Sequence, residues 1–222
     1  MRLRVSELHV QTFVSPAFGQ NAYVVWRDGG SAVAIDPGAE ASAMADFIAS
    51  EGLWCEAILL THAHLDHIEG VAALVGRTGA ATWMHPDDQP LYERAQDQGL
   101  AFGYPIEPQP PIDHPLSDGM RVDFGGTAFD VIHVPGHAPG HVLFHDAVAG
   151  VAFSGDVIFA GSIGRSDLPG GNLQTLMRSI RERVLKLPDD TVLYSGHGPE
   201  TTVGHERISN PFLIPQYGGG VV

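Results

Sequence analysis

Short apolar-rich runs at residues 8–14, 22–26 and 31–35, set apart by Pro, Gly and Asn turns, predict three early strands. Ala41, Met44, Ala45 and Ile48 then recur at the helical period, and the stripe stops at Gly52. The continuous run Ala57, Ile58, Leu59 and Leu60 reads as a buried strand. After a polar loop, the stripe Ile68, Val71, Ala72 and Val75 predicts a helix lasting to about residue 78. A second series of strands starts near Met120 and includes 129–134, 151–154 and 191–195. Before the last of these, Leu173, Leu176, Met177, Ile180 and Val184 mark an amphipathic helix that ends ahead of Pro188. Strands and helices alternate in two halves, the pattern of an α/β protein with two sheets packed face to face and helices outside.

Residues 86–115 break this pattern. Pro86, Pro90, Pro105, Pro108, Pro110, Pro111 and Pro115 leave little room for regular structure beyond a short helix around 91–98. Such an insertion is either a surface connection or a loop overhanging a functional site, with Tyr92, Phe102 or Tyr104 placed to touch a substrate.

At 222 residues the chain suits a single domain over residues 1–222, large enough to bury roughly 70% of its unfolded surface. Lys and Arg number 12 against 26 Asp and Glu, a formal net charge of -14 that repels nucleic-acid phosphates and anionic membranes. Neither kind of partner is expected. Cys55 is the single cysteine, so no intrachain disulfide can form, and a buried structural thiol is expected there. The segment from Met1 to Glu7 lacks an apolar signal core, and no run approaches the ~20 apolar residues of a membrane span. A cytoplasmic protein is the expectation.

The chemistry concentrates in Thr61-His62-Ala63-His64-Leu65-Asp66-His67, directly after the buried run. In an extended segment His62 and His64 project to one side about 7 Å apart, close enough to clasp one ion. Asp66 and His67 stand where the chain turns into a helix and approach from another direction. This loop therefore suits two ions, or one ion with a supporting carboxylate. Three further candidates follow apolar runs: His137 in the turn-rich loop 135–141, Asp156 after Gly155, and His197 after Gly196. A glycine beside each suits backbone that passes close to something, and sites built at strand ends collect on one sheet edge. Nitrogen and oxygen donors without thiolate suit zinc, iron or manganese.

These motifs, in this order from residue 20 to 200, resemble the metallo-β-lactamase-fold hydrolases. The resemblance implies a four-layer αβ/βα sandwich with two divalent metal ions, zinc foremost and iron or manganese also compatible. It makes His62, His64 and His137 ligands of one ion and Asp66, His67 and His197 ligands of the other. Asp156 bridges both, and Asp66 and Asp156 are the catalytic carboxylates. The runs 135–141 (PGHAPGH) and 155–171 (GDVIFAGSIGRSDLPGG) resemble the glyoxalase II group, the hydroxyacylglutathione hydrolases, and above all its short bacterial members. The activity this implies is hydrolysis of a small-molecule thioester, such as S-lactoylglutathione, by a hydroxide formed on the metals.

Arg165 is the one Lys or Arg between Arg121 and Arg178 and follows Asp156 by nine residues. It can hold a substrate carboxylate through two parallel hydrogen bonds, or pair with Asp167. The glyoxalase II likeness supports substrate binding, because a lysine serves that role at the matching position. The chain departs from that group at Pro199, where a glutathione-binding tyrosine is usual, and in its short tail with Gly218, Gly219 and Gly220. Two alternatives stand beside the thioesterase. One is a persulfide dioxygenase with a single iron, a class with a similar stretch to Gly164-Arg165-Ser166-Asp167; the other is a metallo-hydrolase of broader specificity. His133 and His141 flank the ligand loop and are candidates to orient ligands, whereas His9, His85, His114, His145 and His205 read as surface or packing residues.

Overall fold

The computed structural model describes residues 7–214; residues 1–6 and the tail from 215, with Gly218, Gly219 and Gly220, lie outside the described residues. The first half runs β1 (His9–Val14), β2 (Asn21–Trp26), β3 (Ser31–Ile35), α1 (Ala41–Ser50) and β4 (Trp54–Leu59). It continues through α2 (Leu65–Ile68), α3 (Val71–Thr78) and β5 (Ala81–Met84) into α4 (Gln89–Tyr92), α5 (Ala95–Ala101) and β6 (His114–Pro115). The second half has β7 (Arg121–Phe124), β8 (Thr127–His133), β9 (Val142–Asp146) and β10 (Val151–Gly155), then the hairpin β11 (Ile158–Phe159) and β12 (Ser162–Ile163). It closes with α6 (Leu173–Glu182), β13 (Val192–Ser195), β14 (Thr201–Thr202) and α7 (Val203–Ser209).

Each half supplies one whole six-stranded sheet, ordered β1-β2-β3-β4-β5-β6 and β14-β13-β10-β9-β8-β7. Helical crossovers make β3, β4 and β5 parallel, and α6 does the same for β10 and β13. Side chains alternate across each strand, so both sheets bury two faces. Tyr23, Val25, Ile35 and Leu59 meet Phe129, Phe144 and Phe153 between the sheets. Ala22, Val24, Ala34 and Ile58 pack outward on Met44, Ile48, Val71 and Leu74 of the helices. Leu143, Ala152 and Leu193 pack outward on Leu176, Ile180 and Val184. The layers are helix, sheet, sheet, helix, the order the resemblance implied.

Three local expectations change. The helix after the polar loop is split at Gly70, because the backbone there passes against Pro37 and Gly38: Gly70 N donates to Pro37 O at 3.0 Å, and a Cβ on Gly70 would strike Gly38 O. Fully buried Leu74 anchors its second part, while Ala72 is half-buried. The Pro-rich segment holds two short helices, α4 and α5, in place of one. Tyr92 is buried in the first core cluster with its hydroxyl donating to Pro110 O at 3.0 Å, so it packs the insertion and is not presented to a substrate. Cys55 is buried, and burial pushes its thiol up to about 11, as a structural thiol requires. Among the described residues, no helix is long and apolar enough to cross a membrane.

Candidate metal centre

The strand ends that carry the candidates open at one edge of the sandwich. The loop after β4 carries His62 and His64, and α2 directly after it carries Asp66 and His67; the β8–β9 loop carries His137; Asp156 follows β10; His197 follows β13. The two sheets are joined at this edge. Val142 N donates to Thr61 O at 2.8 Å, Asn21 N donates to Gly196 O at 2.7 Å, and the Tyr23 hydroxyl donates to Ser195 O at 2.6 Å.

The structure brings the candidates together in two groups. His62, His64 and His137 converge, with His64 Nδ1 at 2.8 Å and His62 Nε2 at 3.2 Å from His137 Nε2. Asp66, His67 and His197 form the second group, with His197 Nε2 at 3.2 Å from Asp66 Oδ2. Asp156 lies between them: its Oδ2 is 3.5 Å from His137 Nε2 and 3.4 Å from His197 Nε2, and its Oδ1 is 3.3 Å from His67 Nε2.

Hydrogen bonds on the far side of the rings fix which nitrogen faces inward. The Thr61 hydroxyl donates to Asp36 Oδ2 at 2.6 Å, so its oxygen is left to accept from His62 Nδ1 at 3.0 Å, leaving His62 Nε2 bare. His67 Nδ1 donates to the same Asp36 Oδ2 at 2.9 Å, and His137 Nδ1 donates to Arg165 O at 2.7 Å. Asp36, with φ of 50°, also accepts from Thr61 N at 2.7 Å. His141 Nε2 accepts from Asp156 N at 3.0 Å, and its ring stacks on His62 at 4.7 Å, so it positions both.

A metal fits these residues on grounds internal to the structure. His67 Nε2 and Asp156 Oδ1 are buried and have no hydrogen-bond partner. Gly196 is required beside them, because a Cβ there would strike Asp156 Oδ1 and His67 Cε1. Burial first, then neighbouring imidazoles, lowers His62 well below its ordinary value and takes His64 to about 3, so this group offers neutral nitrogen donors. Burial also acts to lower His67 and His197, but Asp156 and Asp66 outweigh it; His67 is raised well above its ordinary value and His197 to about 9. Burial works to raise Asp156, yet His67 and His197 hold it far below the usual carboxylate range. The second group thus keeps protons in a cavity of negative charge that a cation would displace.

Sequence reasoning missed two supports. Asp36 follows β3 as the other candidates follow their strands, and that shared position was its available signal. Asp88, fully buried, accepts from Ala63 N at 2.8 Å and Gly140 N at 2.5 Å, tying the two ligand loops together; nothing in its local sequence marks it. Arg165 is exposed, and its guanidinium makes a two-point pair with Asp167 at 2.7 and 2.9 Å. A further cluster among the described residues, His85, Asp87 and His133, is committed otherwise: the two rings stack at 4.2 Å, His85 Nδ1 accepts from Asp87 N, and His133 Nε2 contacts Pro139 O.

Comparison with known proteins adds three likenesses and a family. The metallo-beta-lactamase superfamily matches residues 15–197. A Haemophilus influenzae protein named hydroxyacylglutathione hydrolase GloC is 39% identical over 208 residues, covering 93% of this chain and 98% of that one. The crystal structure of BLEG-1 B3 metallo-beta-lactamase is similar with a TM-score of 0.87 and 40% identity, covering 92% of this chain and 99% of that one. A structure of TTHA1623 in a di-iron-bound form is similar with a TM-score of 0.85 and 45% identity, covering 92% of this chain and 100% of that one.

Proposed function

Because the chain belongs to the metallo-beta-lactamase superfamily, we propose that it is a dinuclear-metal hydrolase of small-molecule thioesters, of the glyoxalase II type. The observation that carries this reading is the pair of His/Asp groups that share Asp156. His62, His64 and His137 would hold one divalent ion, and Asp66, His67 and His197 the other, with Asp156 common to both. Zinc suits the donor set, and so does iron, which the similar TTHA1623 binds as a di-iron pair. Bound there, the ions would supply Lewis acidity and a nucleophile from water whose pKa falls to about 7.

The chain's own residues do the rest. Asp36, Thr61 and Arg165 O hold the Nδ1 atoms of His67, His62 and His137, so that each ring turns its Nε2 inward. Asp66 is the more open of the two carboxylates and is the group we assign to proton transfer near the leaving thiol. Arg165 would exchange Asp167 for a carboxylate of a glutathione-derived substrate, keeping the same two-point geometry.

Metal analysis of the purified protein, with assays on S-lactoylglutathione and a chromogenic β-lactam and with oxygen uptake on glutathione persulfide, tests this. Two metals per chain and thioester turnover are expected. The likeness to BLEG-1 favours β-lactam hydrolysis as the second reading, and turnover of the lactam alone would replace the first. One iron per chain with oxygen consumption would remove both.

A further inference from the structure

A cavity of about 310 Å³ opens beside His64, walled by Leu91, Ala101 and Phe102 of the Pro-rich segment and by Leu168 and Pro169. His64 belongs both to this wall and to the first histidine group, so the cavity adjoins the candidate centre. The wall is fixed to the ligand loop by Gln98. Its side chain accepts from Leu65 N at 3.0 Å and donates to Ala63 O at 3.0 Å and Leu91 O at 2.9 Å, bracketing His64. The walls are apolar, and the charged residues at the edge, Arg94 and Asp97, pair with each other at 3.3 Å in solvent.

Two substrates fit this cavity poorly. A lactoyl group would leave most of it unfilled, since a cavity of about 150 Å³ already holds benzene. The glutathionyl part carries two carboxylates and an ammonium, which an apolar wall leaves without partners. Resting on the hydrolytic reading above, we infer that the cavity receives the acyl side of the substrate, and that the substrate class is thioesters of apolar acyl groups, aryl or linear, with about six carbons or more. Each methylene placed there strengthens binding about fourfold.

The test uses the metal-loaded protein and two measurements. Titration calorimetry with S-hexylglutathione and S-methylglutathione reads the cavity, and turnover of hexanoyl- and lactoylglutathione reads the reaction. The hexyl compound is expected to bind at least tenfold tighter. Ala101→Trp, at an exposed position at the end of α5, is expected to remove that difference by filling the space. Leu168→Glu, from the other wall, serves if that variant does not fold. Equal affinity for the two compounds, or a preference that survives the substitutions, overturns the assignment whatever the turnover. A preference lost on substitution, in a protein that cleaves neither thioester, keeps the cavity assignment and removes the thioesterase reading.

Discussion

At the scale of single residues, Asp156 has the largest expected effect. Its carboxylate touches His67, His137 and His197, so Asp156→Ala removes the one group that faces both halves of the centre. Turnover should fall by about 10³-fold or more, metal content should drop below two per chain, and the far-ultraviolet circular dichroism should hold. Near-normal turnover removes the shared-ligand assignment. Arg165 contributes through two separate atoms. Its carbonyl accepts from His137 and survives any side-chain change, whereas its guanidinium is exposed and paired with Asp167. Arg165→Ala should therefore raise KM about tenfold on carboxylate-bearing thioesters with little change in kcat. An unchanged KM would assign the guanidinium to Asp167 alone. These residues were legible because a ligand-type side chain after an apolar run and beside a glycine is a local pattern. Asp88 is not local: its partners lie 25 and 52 residues away, and only the folded chain brings them to it.

At the scale of elements, the Pro-rich insertion supports the ligand loops as well as forming a surface. Asp88 precedes α4 and Gln98 sits in α5; together they hold the His62–Leu65 backbone and the turn at Gly140. Sequence periodicity located the insertion by its prolines but could not count its helices, since α4 is only four residues long. It also ran α2 and α3 together, because the split at Gly70 arises from a close approach to Pro37 and Gly38 that no periodicity records. Asp88→Asn puts an amide NH₂ against one of two buried backbone N–H groups and should cost about 1–3 kcal/mol. Burial pushes Asp88 up to about 6, against the lowering by Gly140 N and Ala63 N. The folded state therefore binds more protons than the unfolded one between about pH 4 and 6, and this residue's contribution to stability falls as pH rises through that window. Asparagine does not titrate, so the variant's deficit should be largest near pH 4 and narrow by pH 6. Urea unfolding of both proteins across that range measures it, and a deficit independent of pH contradicts the buried carboxylate's raised pKa.

At the scale of the whole molecule, the centre is a seam between two halves. The first half brings His62, His64, Asp66 and His67, and the second brings His137, Asp156 and His197. Direct contacts across the seam near the centre include Val142 N to Thr61 O, Asn21 N to Gly196 O and the Tyr23 hydroxyl to Ser195 O. Ions bound by ligands from both sides would cross-link the halves, while each sheet's own ladders do not depend on them. Ligand held at a thousand times its dissociation constant stabilises by about 4 kcal/mol. For a chain of this size that corresponds to about 8–16 °C in Tm. Chelation should lower Tm by that order, and hydrogen exchange should quicken first at Asn21 and Val142 on the seam, with amides in the middle of β3 and β9 still protected. Acid should weaken the second group before the first, because His67 and His197 must give up protons to bind a cation while His62 and His64 are already neutral. Calorimetric metal titrations at pH 6 and pH 8 should therefore show one affinity that falls steeply with acid and one that changes less. A Tm indifferent to chelation would break the argument that the seam is what the metals hold, and two affinities that move together with pH would contradict the protons assigned to His67 and His197.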